Sequence, residues 1–378
     1  MQNSLDLQKL YRLPWTRNHN PNGWIEPTTY CQLSCPGCYR GLAFPNPVRI
    51  HEDIAKLKKE VDTLIKIRNI KVLTIAGGEP LLYPKLDELV SYAKKRHVQT
   101  RILTNGVSLT YERLTTLKNL GVTEVVIHIA DYQNRPTPHR NKDNNEVRNK
   151  YCQMFRKVKR VELNFIMTVS KDNLRILPKI LTFYKKNSDI ISRVFFTLYR
   201  DIFFKKPAME DTKNYISLER LANLIRKIYK VEPCAYLGKT LDPQKPSWLY
   251  FAPILLGKKV IGHADKRTVE KVYSQNQNGP WNSSLTQEKK IKLLKSLPTL
   301  SFPCAIKTII GYIGAIIKNP ANIIKSPKCQ IIHLINTPKL TDKGWDLCDG
   351  CPDAILYKGQ LVPSCLLERI KLGEGITL

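Results

Sequence analysis

The sequence predicts an α/β fold built on a parallel sheet, and three observations carry that prediction. From residue 51 to about residue 199, short apolar runs alternate with stretches of helical periodicity, the pattern of βαβ units. Right-handed crossovers curl such units into a full or partial barrel. The chain has 378 residues, 42% of them apolar, enough for one large α/β domain with a smaller appendage. Finally, the first extended segment runs straight into a cysteine-rich loop, and parallel α/β sheets carry their chemistry outside the C-terminal ends of their strands.

In chain order, residues 1–21 read as an N-terminal arm punctuated by Pro14, Trp15 and Pro21. Residues 22–205 hold the alternation. A strand over 24–30 leads into Cys31-Gln-Leu-Ser-Cys35-Pro-Gly-Cys38. A helix over 53–67 carries Ile54, Leu57, Val61, Leu64 and Ile65 on one stripe. An apolar strand over 71–76 meets Gly77-Gly78-Glu79-Pro80. Helices over 84–96 and 111–120 flank a strand over 100–104, and further strands are predicted over 124–130, 161–169 and 193–199. In residues 206–328, a basic region offering a substrate or membrane contact, one amphipathic helix spans 217–229. Residues 240–301, with Pro243, Pro246, Pro253, Pro280 and Pro298, read as loops and short elements around Trp248, Tyr250, Phe251 and Trp281. Residues 329–378 form a small cysteine-rich α+β extension, with a hairpin over 354–362.

Charge and cysteine usage narrow the function. Lys and Arg number 61 against 32 Asp and Glu, a formal +29 that favours anionic partners: nucleic acid, acidic lipid or a phosphorylated substrate. The ten cysteines cluster in C-x2-C patterns, and the N-terminus has no signal-peptide pattern, which argues for metal ligands in a reducing, cytoplasmic compartment. Between 289 and 341 there are nine lysines and no Asp, Glu or Arg. The ten-residue apolar run 308–317 inside that segment falls well short of the roughly 20 needed to cross a bilayer. It reads first as a buried core helix. The sharper reading lays it in the interface of an anionic membrane, with the protein peripheral at the inner face.

Three thiols spaced C-x3-C-x2-C can hold three corners of a cubane cluster and leave the fourth iron open; a structural zinc completed by His51 is the alternative. At the other end, Cys348-Asp-Gly-Cys351, Cys365 and Cys329 supply four thiols for a second [4Fe–4S] cluster or a zinc. Cys304 is an alternative fourth ligand, while Cys152 and Cys234 read as buried free thiols.

With C-x3-C-x2-C at one strand end, Gly-Gly-Glu-Pro at the next and the α/β repeat behind both, the chain resembles the radical S-adenosylmethionine (radical SAM) superfamily over roughly residues 22–200. The resemblance implies a partial (β/α)6 barrel. It also implies a [4Fe–4S] cluster on Cys31, Cys35 and Cys38, whose open iron is chelated by the methionine part of SAM, and reductive cleavage to a 5′-deoxyadenosyl radical. Gly77, Gly78, Glu79 and Pro80 match the segment that hydrogen-bonds the SAM ammonium. His128 and Asn164 match ribose or carboxylate contacts near the ends of the fourth and fifth strands, and Tyr39 stands in for an adenine-packing aromatic where this chain has Gly37. The C-terminal cysteines resemble an abbreviated auxiliary-cluster domain of the SPASM or twitch type. A ferredoxin or flavodoxin is the implied electron donor.

The residues leave the substrate open among three classes. The lysine-only segment and the patch Trp248-Leu-Tyr-Phe251 lean toward a lipid or isoprenoid substrate. RNA or peptide modification is the alternative, the basic clusters 135–140 and 156–160 being possible phosphate contacts. The third class is a non-catalytic iron–sulfur or zinc scaffold.

Overall fold

The computed structural model describes residues 5–42, 47–133, 135, 144–203, 212–275, 297–376 and 378. In the arm, β1 (Tyr11–Arg12) is a short strand. Then come β2 (Asn22–Ile25), α1 (Ile54–Arg68), β3 (Val72–Ile75), α2 (Leu86–Lys95), β4 (Gln99–Thr104), α3 (Tyr111–Leu120) and β5 (Val122–His128). They are followed by α4 (Asn145–Val158), β6 (Glu162–Val169), α5 (Leu177–Lys186) and β7 (Ile191–Leu198). The helix boundaries have local causes. Asp53 caps α1 by accepting from the amides of Ala55 and Lys56, and Asn69 ends it in the left-handed region at φ 53°. Thr110 caps α3, which stops at Gly121 (φ 118°).

β2 to β7 pair in sequence order, every pair parallel, so the predicted βαβ series is present. β3 is buried along its whole length, as a parallel strand covered on both faces must be. The sheet continues beyond the series. After α6 (Leu218–Tyr229) come β8 (Ala235–Gly238), β9 (Pro246–Phe251), β10 (Pro253–Leu256) and β11 (Lys259–His263). Next in the chain are α7 (Lys266–Gln275), α8 (Phe302–Lys318), β12 (Lys328–Cys329) and β13 (Ile331–Ile335). β13 lies parallel beside β7, with Ile331 opposite Arg193 and Ile335 opposite Thr197. β9 runs antiparallel to β13, β8 antiparallel to β9, and β1 closes the row against β8. The ten-stranded order is β1-β8-β9-β13-β7-β6-β5-β4-β3-β2, an open sheet with no barrel closure among the described residues. The C-terminus adds hairpins β14 (Lys339–Thr341)/β15 (Gly344–Asp346) and β16 (Ala354–Tyr357)/β17 (Gln360–Pro363), then α9 (Leu367–Lys371).

Two expectations are corrected. The proline-rich stretch supplies full sheet strands, because Pro246 and Pro253 each take the first position of a strand, where no ladder donor is lost. The run 308–317 is part of a helix, but not a core helix: Cys304, Thr308 and Ala315 are its buried residues, while Phe302, Ile310 and Ile317 are exposed. Trp281 and Pro280 lie outside the described residues.

Candidate functional site: two thiol sets on one cavity

β2 delivers an extended lead-in to the first thiol loop. Thr28 forms a bridge with His51, and the Thr29 amide donates to the Ile50 carbonyl at 3.0 Å. From the end of β3, the Gly78 amide donates to the Thr28 carbonyl (2.8 Å) and the Glu79 amide to the Tyr30 carbonyl (2.7 Å). A Cβ on Gly78 would lie 2.3 Å from the Tyr30 carbonyl oxygen, and Gly77 sits at φ +105°. Glycine is therefore required twice, for close approach and for backbone conformation. Inside the loop, the Cys38 amide donates to the Cys35 carbonyl, and Cys31 Sγ accepts from the Leu33 amide (3.4 Å) and from Asn105 Nδ2 (3.6 Å).

Glu79 does not reach the cavity. Its carboxylate accepts from Thr104 Oγ1 (2.6 Å) and the Asn105 amide (2.7 Å), tying the end of β3 to the end of β4, and from the Leu81 amide (3.0 Å). Pro80 is buried and opens the short turn that follows. Gly77 and Gly78 do line a cavity of about 250 Å³, together with Cys31, Cys35, Cys38, Tyr39 and His128. Cys348, Cys351, Cys365 and Asp353 line the same cavity.

Burial pushes Cys35 up to about 12, helped by the neighbouring Cys38 and Cys31 and opposed by Gln133 and Arg135. Burial also raises Cys31 and Cys38. In the second set, hydrogen bonding from Cys351 holds the Cys348 thiol below its ordinary value, while Cys351 is pushed up by that bond and by burial, and Cys365 by burial. Cysteine thiolates are the soft donors that iron–sulfur clusters and zinc take, and binding of either releases the thiol protons.

Tyr39 donates to Glu26 Oε1 (2.9 Å), as does Trp24 Nε1 (2.9 Å). Arg40 bridges Glu26 (2.9 Å) and Glu368 of α9 (2.5 Å), latching the thiol loop to the C-terminal helix. His128 sits on the cavity wall at the end of β5. Gln133 Nε2 donates to its Nδ1 at 3.2 Å, which leaves Nε2 with the proton and no partner among the described residues. Burial, reinforced by Arg135 and Arg148, lowers His128 to about 4 and keeps it neutral.

Five placements differ from the sequence reading. Asn164 is deep in the sheet: its Nδ2 donates to Glu124 Oε1 (2.6 Å) and its Oδ1 accepts from the Arg193 amide (2.6 Å). There it belongs to an ion cluster in which Arg101 (2.9 Å) and Arg193 (2.7 Å) hold Glu124 below the usual carboxylate range despite its burial. Cys329 pairs with Ile254 on β10 and does not line the cavity with Cys348, Cys351 and Cys365. Cys304 lies in α8, where its neighbours include Ser301 and Asp265. His51 stacks on Tyr30 at 4.4 Å and is not on the cavity wall. Arg135, counted with a surface basic cluster, turns inward to the carbonyls of Asn105 and His128, both at 2.7 Å; residues 136–140 lie outside the described residues.

Two residues around the loop had no sequence signal: Gln133, which lines the cavity, and Tyr199, which packs against Gly37, follow their strands without a motif. Tyr199, at the end of β7, fills the space beside Gly37, where a Cβ would lie 2.4 Å from its Cε2. That glycine was the available cue: a small residue in the loop calls for a large one opposite.

Comparison with known proteins finds partial similarities. The family described as the Radical SAM superfamily matches residues 25–183. A PqqA peptide cyclase from Streptomyces rochei is 35% identical over 111 residues, 28% of this chain and 29% of that protein. An Fe-coproporphyrin III synthase from Methanosarcina barkeri strain Fusaro is 28% identical over 129 residues, 33% of this chain and 31% of that protein. Among solved structures, Streptococcus suis SuiB aligns at TM-score 0.42 and 17% identity, covering 56% of this chain and 46% of SuiB. The chain thus spans under a third of the length of the curated relatives it matches. The stretch that matches the Radical SAM superfamily, residues 25–183, carries both the thiol loop and the Gly-Gly-Glu-Pro segment.

Proposed function

We propose that this protein is a radical SAM enzyme acting on a peptide, with two clusters facing one cavity. Cys31, Cys35 and Cys38 would hold the SAM-binding [4Fe–4S] cluster, and Cys348, Cys351 and Cys365 an auxiliary one. When bound, the first cluster supplies the electron for reductive cleavage of SAM. The chain's own contribution is positional. Gly77 and Gly78 present backbone to the cavity, Tyr39 and neutral His128 line it, and Glu79 fixes the strand ends that carry Asn105 to Cys31. The observation that supports this reading is that both thiol sets line one cavity.

For the substrate, similarity to PqqA peptide cyclases favours a peptide over the lipid suggested by the lysine-rich segment. RNA is less well supported, since Arg135 faces inward and Arg156 is paired with Asp189 at 2.8 Å.

Anaerobic reconstitution tests the cofactors. About eight irons per chain are expected, falling to about four in Cys31→Ala/Cys35→Ala/Cys38→Ala, with 5′-deoxyadenosine formed by the parent alone. Zinc in place of iron, or no 5′-deoxyadenosine from loaded protein, restores the scaffold reading. Deuterium appearing in 5′-deoxyadenosine from a deuterated peptide digest supports the substrate class; deuterium from a deuterated lipid extract instead overturns it.

A further inference from the structure

α8 is packed with its small side chains inward and its large ones outward. Cys304, Thr308, Gly311 and Ala315 recur at helical spacing on the face toward β11. A Cβ on Gly311 would lie 2.1 Å from the Ile261 carbonyl oxygen, so the strand runs directly against the helix backbone. The opposite stripe is Phe302, Ile306, Ile309, Ile310, Ile313 and Ile317, of which Phe302 is 78% and Ile317 75% exposed. The turn that follows continues it with Ile323 (63%) and Ile324 (84%). An amphipathic helix of a soluble domain points such a stripe into the core; here it points away.

The charges around this stripe have one sign. Lys307, Lys318 and Lys325 are exposed beside it, and Lys258 is exposed on the β10–β11 turn, whose Gly257 lies near Lys325 Nζ. None of the four has an ion-pair partner among the described residues. Asp265, at the start of the helix, is already taken by Thr268 (2.7 Å) and Ser301 (2.7 Å). An apolar stripe edged by unpaired lysines complements acyl chains beneath anionic headgroups. A second copy is disfavoured, because a symmetric pairing would set the lysines against each other. With 17 residues the helix is about 25 Å long, and no described helix is long and apolar enough to cross a membrane.

We propose that the isoleucine face of α8 and residues 320–324 seats this protein on the surface of an anionic bilayer, with α8 lying in the interface plane. The proposal is independent of the substrate class.

The test is sedimentation of the reconstituted full chain with vesicles of equimolar phosphatidylcholine and phosphatidylglycerol, and with vesicles of phosphatidylcholine alone. The parent is expected to pellet with the anionic vesicles and to be released by salt. Ile310→Ser/Ile313→Ser/Ile317→Ser is expected to lose at least about tenfold in partition, and Lys307→Glu/Lys318→Glu about tenfold. Both variants are expected to keep the parent's iron content and thermal unfolding. Failure of the parent to pellet, or serine and glutamate variants that pellet as it does, overturns the proposal. So does a concentration-dependent dimer in lipid-free buffer that the serine variant abolishes, since it assigns the face to a second copy.

Discussion

Glu79 and Asn164 were both candidate SAM contacts, and each side chain is occupied within the protein. Glu79 lies in a motif whose glycines announce a close approach, so its position was legible although its direction was not. Asn164 has no such neighbours, and its role rests on Glu124 and Arg193, 40 and 29 residues away in sequence. At Gly78, the 2.3 Å approach to Tyr30 predicts that Gly78→Ala destabilises the fold by about 2 kcal/mol in urea unfolding. His128 gives a pH signature. Its folded value of about 4 lies below the unfolded value of about 6.5, so between the two the unfolded chain binds more protons. Stability is therefore expected to fall as pH drops from 6.5 toward 4, by about 2 kcal/mol at pH 5 from this group. His128→Gln should flatten that part of the profile, and an unchanged slope would remove His128 as its source.

Among the elements, the central strands were readable because buried parallel strands are continuous apolar runs bounded by turn residues. β13 was not, since it follows a lysine-rich stretch and its partners, β7 and β9, are remote in sequence. The same remoteness explains Cys329. Its spacing from Cys348 permits a shared site, but β12 pairs with β10 and carries it elsewhere. Cys348→Ala is accordingly expected to lose about four irons per chain, and Cys329→Ala none, as read by iron analysis. The latch from the thiol loop to α9 is a buried ion bridge, with the Arg40 side chain 3% exposed. Arg40→Ala leaves Glu26 and Glu368 without their shared cation and is expected to cost about 3 kcal/mol of unfolding free energy.

On the scale of the whole molecule, sequence alternation predicted the parallel series β2 to β7, but the joining of residues 235–335 to the same sheet had no local signal. If the sheet is one cooperative unit, amide exchange in β13, flanked by β7 and β9, should be as slow as in β4 and β5, and slower than in the edge strand β1. Exchange in β13 at the rate of β1 would instead mark an independently opening unit. The shared cavity also has a history in time. Its lining comes from distant parts of the chain, with Cys38 and Cys348 310 positions apart in sequence. At about 5–20 residues per second, a ribosome needs roughly 15–60 s to cover that distance. For that interval the N-terminal thiols are out in the cell with nothing facing them. Any iron delivered in that interval would meet the first thiol loop before Cys348, Cys351 and Cys365 have joined it on the cavity.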